Sequence, residues 1–109
     1  MYENVKEKIH WSGRSGRNYG YNIYKMGTKF KKIPANYILA QVTAMKKWRP
    51  VYIGQTSDLS DYTMVSSKIS CVGENEPTHI HVHRNESGLK ARLAEELDLV
   101  EKWHPACNN

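Results

Sequence analysis

Residues 36–54 read NYILAQVTAMKKWRPVYIG, a stretch of two apolar runs joined by a short polar link. Its first part, residues 36–43, is almost continuously apolar, which is typical of a central strand covered on both faces. A polar connection leads past Pro50 to a second apolar run at 51–54, which predicts a shorter strand. Because the link is so brief, we expect the two strands to pair as an antiparallel hairpin.

Two further stretches show the alternation that predicts half-buried strands. Near the start of the chain, Tyr19, Tyr21 and Ile23 fall on one face. Residues 78–83 read THIHVH, which places the aliphatic side chains on one face and three histidines on the other. Residues 62–76 follow neither period, so helix, strand and loop all stay open there.

The C-terminal segment predicts a helix from about Leu89 to Trp103, stopped by Pro105. Its apolar residues at 89, 93, 100 and 103 follow helical spacing, so we expect them to face the core. The order of elements predicts a small α+β domain. In it, helices flank a mainly antiparallel sheet of three to four strands, and the last helix is amphipathic.

The length of 109 residues fits a single domain. Residues 1–17 are polar and end in a run rich in glycine and serine, so we expect a mobile lead-in before a domain at 18–109. No apolar run approaches the ~20 residues of a membrane-spanning helix, and the first residues lack the apolar stretch of a secretory signal. We therefore expect a soluble, cytoplasmic protein with no membrane partner.

The charged residues are divided unevenly along the chain. The 16 lysines and arginines exceed the 11 acidic residues, for a net charge of +5. Residues 1–50 hold eleven basic and two acidic groups (+9), whereas residues 51–109 hold five basic and nine acidic groups (−4). A basic half is most often a solubilising surface, but one that contains tyrosine and tryptophan is also typical of nucleic-acid-binding proteins.

Cysteine and histidine give weak indications of a metal site. Cys71 and Cys107 are isolated, so we expect free thiols rather than a disulfide or a zinc site. His79, His81 and His83 share one face of a predicted strand, where two of them could bind a transition metal. We favour the alternative, a polar strand surface that faces solvent or phosphate.

Glu96 has an unusual position for an acid. At about 100° per residue, it falls between Leu93 and Val100 on the apolar face of the predicted helix. The other acids of this segment fall on outer faces, where we expect exposure: Glu95, Asp98 and Glu101. A carboxylate on a buried face needs an ion pair, a proton or a cation. Glu96 is therefore either half of a buried salt bridge, or a metal ligand or general base in a cleft.

Both strands of the predicted hairpin carry a tyrosine followed by isoleucine. By themselves, Tyr37 and Tyr52 would be expected to pack in the core. With its neighbouring residues, however, the sequence resembles the GIY-YIG nuclease domain over residues 34–108. The resemblance rests on Asn36-Tyr37-Ile38, Val51-Tyr52-Ile53-Gly54-Gln55-Thr56-Ser57-Asp58-Leu59, Glu96 and Trp103-His104-Pro105-Ala106-Cys107-Asn108.

The resemblance implies a DNA endonuclease that hydrolyses a phosphodiester with one divalent metal ion, Mg²⁺ or Mn²⁺. It assigns metal binding to Glu96 and support of the site to Asn108. It assigns Tyr37 and Tyr52 to the attacking water, which one of them orients or deprotonates. The residue types suit this chemistry, because a hard cation prefers oxygen ligands and stabilises charge on a phosphate.

One position departs from the family. Tyr62 stands where the family carries an arginine that stabilises the transition state, and loss of such a group costs ~10²–10³ in rate. Another cation could supply the charge, and the candidates are Lys68, Arg84 and Arg92. Alternatively, the domain binds nucleic acid or a protein partner and cleaves weakly or not at all.

Six basic residues are the candidates for holding the nucleic acid, for which we expect DNA: Arg14, Arg17, Lys29, Lys31, Lys32 and Arg49. A domain of this size has little room for a separate recognition module. Specificity would therefore come from residues 1–33 or from a homodimer.

Overall fold

The structure, a computed structural model, describes residues 7–109 except for the side chains of Tyr62 and Met64. The strands in this part are β1 (Lys8–Ser12), β2 (Asn18–Lys25), β3 (Ala35–Val42), β4 (Trp48–Thr56) and β5 (His79–Arg84). A 3₁₀ segment (Tyr62–Lys68) leads into helix α1 (Ile69–Glu74), and helix α2 (Leu89–Trp103) follows β5. Neither α-helix of this part is long and apolar enough to cross a membrane.

The strands form one antiparallel sheet in the order β1-β2-β5-β3-β4. The α+β class and the β3–β4 hairpin are therefore confirmed. The predicted strand count is wrong, because the described sheet has five strands rather than three to four. Strand β3 lies between β4 and β5 and is buried from Ala35 to Ala40, as its continuous apolar sequence predicts.

The additional strand comes from the predicted lead-in. Lys8–Ser12, which we expected to be irregular, pair with β2 and bury Trp11. The run rich in glycine and serine is the turn of this hairpin, where Gly13 N–H donates to the Arg17 carbonyl at 2.8 Å. Gly16 adopts a φ of +89°, which glycine tolerates at little cost. Residues 1–6 of the lead-in lie outside the described residues.

The sheet carries an apolar core on each face. On one face, Tyr37 and Leu39 pack with Val72 of α1 and with Cys107 of the C-terminal tail. On the other face, Ile38 and Ala40 of β3 pack with Leu99 of α2, among other residues. Because β3 contributes to both cores through alternate residues, it fixes α1 and α2 on opposite sides of the sheet.

Helix α2 ends where the sequence predicts, but a different face of it is buried. Leu89, Leu93 and Trp103 are exposed, so our prediction that the apolar positions face the core is wrong for them. The buried side chains are instead those of Arg92, Glu95 and Leu99. The reason lies in the sheet, which presents polar side chains to this helix; buried polar groups require polar partners. Arg92 and Glu95 are the polar partners that α2 provides.

The C-terminal tail, residues 104–109, runs beside β4. Cys107 forms a disulfide with Cys71 of α1, and the two Cα atoms lie 5.8 Å apart. Our prediction of free thiols is therefore wrong, because folding brings together two cysteines that are 36 residues apart. The Cys107 N–H also donates to the Val51 carbonyl at 3.0 Å. The tail thus covers the outer edge of β4, the last strand of the sheet.

Candidate active site

The hairpin brings Tyr37 and Tyr52 together, with their ring centroids 6.1 Å apart. Tyr37 lies opposite Gly54 in the β3–β4 register. A Cβ on Gly54 would be 2.6 Å from the Tyr37 hydroxyl oxygen and 3.0 Å from Cε2 of Tyr52. The glycine of the Tyr-Ile-Gly sequence is therefore required for space, because its missing side chain lets the two phenols meet.

The two phenols differ in their electrostatic environment. Burial, above all, raises the pKa of Tyr37, and the hydrogen bond that its hydroxyl shares with Tyr52 raises it further. Burial also raises the pKa of Tyr52, but the same hydrogen bond lowers it. Of the pair, Tyr52 is the phenol whose oxygen is better prepared to carry negative charge.

Glu96 lies beside this pair of tyrosines. Its negative charge raises the pKa of both Tyr37 and Tyr52. The side chain is partly buried, and burial raises the pKa of its carboxyl group. Glu96 lies at the border between the buried face of α2 and its exposed leucines rather than within a buried apolar face. Glu96 is thus within electrostatic range of both tyrosines.

Asn108 positions the strand that carries Tyr52. Its Oδ1 accepts from the Ile53 N–H at 2.8 Å, and its Nδ2 donates to the Ile53 carbonyl at 2.8 Å. The side-chain amide therefore pairs with β4 as a neighbouring strand would. Both hydrogen bonds of this amide go to Ile53, so Asn108 holds the backbone of β4 between Tyr52 and Gly54.

Arg92 is a buried cation of α2 that contacts the residue after the Tyr-Ile-Gly sequence. It lies one helical turn before Glu96, and its side chain is 6% exposed. Its Nε donates to Oε1 of Gln55 at 3.0 Å, and its Nη1 donates to the Asn85 carbonyl at 3.2 Å. Because Gln55 directly follows Tyr52-Ile53-Gly54, this bond ties the guanidinium to the site.

The other candidate cations have different partners. Lys68 donates to the Asn109 carbonyl oxygen at 2.6 Å, and Arg84 forms an ion pair with the exposed Glu86. The side chain of Tyr62 lies outside the described part of the chain. Of the three candidates, Arg92 is the one hydrogen-bonded to the segment that follows Tyr52.

The histidine face of β5 is not the polar surface that we favoured. His81 is fully buried, its Nδ1 accepts from the Trp11 indole N–H at 3.0 Å, and its ring packs edge-on against Trp48. Burial lowers the pKa of His81 to about 4. Within residues 7–109, its Nε2 has no hydrogen-bond partner. This histidine is a neutral core residue.

Glu95, the residue before Glu96, is a buried carboxylate surrounded by hydrogen-bond donors. Glu95, expected to be exposed, is 4% exposed. It accepts hydrogen bonds from the Tyr21 hydroxyl at 2.6 Å and from Nδ1 of His83 at 2.8 Å, while Asn85 Nδ2 lies 3.4 Å from its second oxygen. Burial is the main cause that raises the Tyr21 pKa, and the Glu95 charge raises it further. No local sequence pattern indicates this burial, because the partners of Glu95 come from β2 and β5.

Five of the six predicted nucleic-acid contacts are exposed: Arg14, Arg17, Lys29, Lys31 and Lys32. Arg49 differs from them, because its guanidinium donates to Oε1 of Gln41 at 2.9 Å and to the carbonyl oxygen of Asn75 at 3.0 Å. It therefore joins β3 to the end of α1. Of the other acids on α2, Glu101 is exposed as predicted, and Asp98 accepts from Ser15 and Tyr19 at 2.7 Å each.

The side chains at this site suit Mg²⁺ or Mn²⁺ better than zinc. Among the described residues, no group of three or more histidine, cysteine or acidic side chains could hold a metal ion, whereas a structural zinc site needs four such ligands. A single carboxylate, such as Glu96, fits Mg²⁺, which is held by one or two carboxylates, water and substrate phosphate. The residues present are therefore compatible with Mg²⁺ or Mn²⁺.

Comparison of the chain with protein-family models, with curated proteins and with solved structures gave no match.

Proposed function

We propose that this protein is a metal-dependent nucleic-acid phosphodiesterase, a DNA endonuclease of the GIY-YIG type. The observation that supports it most is that Tyr37 and Tyr52 pack together within electrostatic range of Glu96, because the motif assigns these three residues to one site. Gly54 supports it as well, because the motif glycine is the residue whose missing side chain lets the two tyrosines approach.

Each residue has a distinct role in this proposal. Glu96 holds the divalent cation, which when bound stabilises the charge that develops on the phosphate. Tyr52 offers its oxygen to the attacking water, and Tyr37 fixes the orientation of Tyr52 by packing against its ring. Asn108 keeps β4 in place, and Arg92 supplies the positive charge that Tyr62 cannot supply.

A nicking assay on supercoiled plasmid DNA with Mg²⁺ or Mn²⁺ tests the proposal. Glu96→Gln should abolish cleavage, since an amide binds a hard cation poorly, and Tyr52→Phe should slow it by ~10²-fold or more. Glu101→Gln is the matched control, because it removes an exposed acid from the same helix. Cleavage that survives Glu96→Gln at the wild-type rate would contradict the proposal.

The alternative is a module that binds nucleic acid, or a protein partner, with little or no cleavage. The presence of tyrosine at position 62 favours it, because the usual cation is missing there. In that case the wild-type protein would bind DNA with an affinity that falls steeply as salt rises, without nicking it under any metal condition. Arg92→Lys distinguishes the two, because it should lower the cleavage rate of an enzyme and leave simple binding nearly unchanged.

A further inference from the structure

Helix α2 exposes three leucines in a line. Leu89, Leu93 and Leu97 are spaced by four residues, and 55%, 46% and 59% of their surfaces are accessible. We call these three residues the leucine stripe. Residues spaced by four lie along one side of an α-helix, so the stripe is a continuous apolar strip rather than three scattered side chains.

The stripe cannot be covered by the sheet of its own chain. At ~100° per residue, its centre lies about 130° around the helix from the centre of the buried face formed by Arg92, Glu95 and Leu99. Burial of exposed leucine side chains is favourable, because it removes apolar surface from water. A contiguous exposed apolar strip is typical of an interaction surface.

Two opposite charges flank the stripe on the same side. Lys90 and Glu101 are both exposed, and at ~100° per residue they lie within about 40° of Leu97. Lys90 is near the beginning of the helix and Glu101 near its end. Within residues 7–109, neither of them forms an ion pair.

We propose that the leucine stripe is the contact between two copies of this chain, paired through antiparallel α2 helices. A two-fold axis midway between Leu93 and Leu97 places Leu93 of each copy against Leu97 of the other copy. In an antiparallel pair, equivalent flanks of the two helices meet. Lys90 of one copy then lies beside Glu101 of the other, offset by about one residue, or ~1.5 Å.

The charges favour a second copy of this chain as the partner. Lys90 and Glu101 carry opposite charges, so the surface formed by the stripe and its flank is complementary to an antiparallel copy of itself. A two-fold contact requires such self-complementarity, since the same patch serves both partners. Six leucines bury less than the ~1,200 Å² of a stable interface. The dimer is therefore weak, with a dissociation constant on the order of 10⁻⁵ M.

Sedimentation velocity between about 5 and about 500 µM protein measures this association. Leu93→Asp should leave only monomer. Lys90→Glu and Glu101→Lys should each weaken the dimer about tenfold, because each places like charges together. Lys29→Glu, which makes the same charge change on a distant exposed loop, should leave the association unchanged.

Charge exchange tests the antiparallel arrangement itself. A mixture of Lys90→Glu protein with Glu101→Lys protein should form a heterodimer, because two ion pairs are then present, one with the original polarity and one with the reversed polarity. The double variant should regain the wild-type association. Circular dichroism confirms that each variant is folded, which is expected for substitutions at exposed positions.

Three results would overturn the proposal: a wild-type monomer at every concentration, a dimer that tolerates Leu93→Asp, or single charge variants that fail to associate with each other. A stripe that binds a different protein corresponds to the first result. Because the readout is mass, these outcomes do not depend on nuclease activity. Glu96 lies on the opposite flank of the stripe, so the proposed pairing leaves both candidate active sites on one side of the dimer.

Discussion

Asn108 binds both backbone groups of Ile53 through its side-chain amide, at 2.8 Å in each direction. The residue that it grips lies between Tyr52 and Gly54, which form the candidate active site. A residue near the end of the sequence therefore determines the position of a strand more than 50 residues earlier. The two residues are in contact in the structure although they are 55 residues apart in the sequence.

Asn108→Ala removes both of these hydrogen bonds and leaves the Ile53 backbone without its partner. At about 0.5–1.5 kcal/mol net for each bond, we expect the free energy of unfolding to fall by about 1–3 kcal/mol. Urea denaturation followed by circular dichroism measures the change. Asn109→Ala is the control, because Asn109 is exposed and donates only one long bond, at 3.3 Å. Equal stability of the two variants would argue against the gripping role.

Gly54→Ala places a methyl group 2.6 Å from the Tyr37 hydroxyl oxygen. The tyrosine must move, so we expect a loss of about 1–3 kcal/mol in unfolding free energy, as in other overpacked cores. Near-ultraviolet circular dichroism should report the displaced tyrosine. Gly73→Ala is the matched control, because a Cβ there meets nothing within 4 Å. Alanine in that helix should be neutral or should stabilise it by up to ~1 kcal/mol.

His81 predicts a loss of stability in mild acid. Its pKa is lowered by burial from 6.5 to about 4. Above pH 6.5 the ring is neutral in both the folded and the unfolded chain, so it has no effect on the pH dependence. Between pH 6.5 and about 4, only the unfolded chain takes up the proton, which lowers the free energy of unfolding by about 3 kcal/mol in total.

Thermal unfolding from pH 7.5 to 4 tests this prediction against a variant. His81→Gln does not titrate, and its amide oxygen can accept the bond from Trp11. The difference in unfolding free energy between wild type and variant should therefore shrink or reverse as the pH falls. Parallel pH profiles for the two proteins would show that His81 does not bind a proton on unfolding.

The disulfide between Cys71 and Cys107 should contribute strongly to stability, because it closes a loop of 36 residues. Chain-entropy arguments give about 4 kcal/mol for a loop of this length. Urea unfolding with and without a reducing agent measures it, and a variant with both cysteines replaced by serine should match the reduced protein. An unfolding midpoint that does not respond to the reducing agent would contradict this contribution.

The sequence predicts the centre of the sheet well, because local pattern and burial agree there. Strand β3 is apolar without interruption and proves to be covered on both faces, while the short link forces the hairpin. The pairing of Tyr37 with Tyr52 then follows from register. The sequence predicts these features because they depend on residues close together in the chain, or on the single turn that joins β3 to β4.

The parts that the sequence does not predict depend on partners far along the chain. A hydrophobic pattern cannot show that Glu95 is buried, because its hydrogen-bond partners Tyr21 and His83 are 74 and 12 residues away. The same polar network rotates α2 so that its leucines face outward. Strand β1 was missed because its glycine-rich turn resembles a mobile segment.

The tail beside β4 also affects how the protein behaves at high concentration. An uncovered edge strand presents free backbone donors and acceptors, through which chains can aggregate edge to edge. Here, Cys107 and Asn108 occupy the edge at Val51 and Ile53. If reduction detaches the tail, the newly exposed edge should promote aggregation, so the colloidal stability of concentrated samples should depend on keeping the disulfide oxidised.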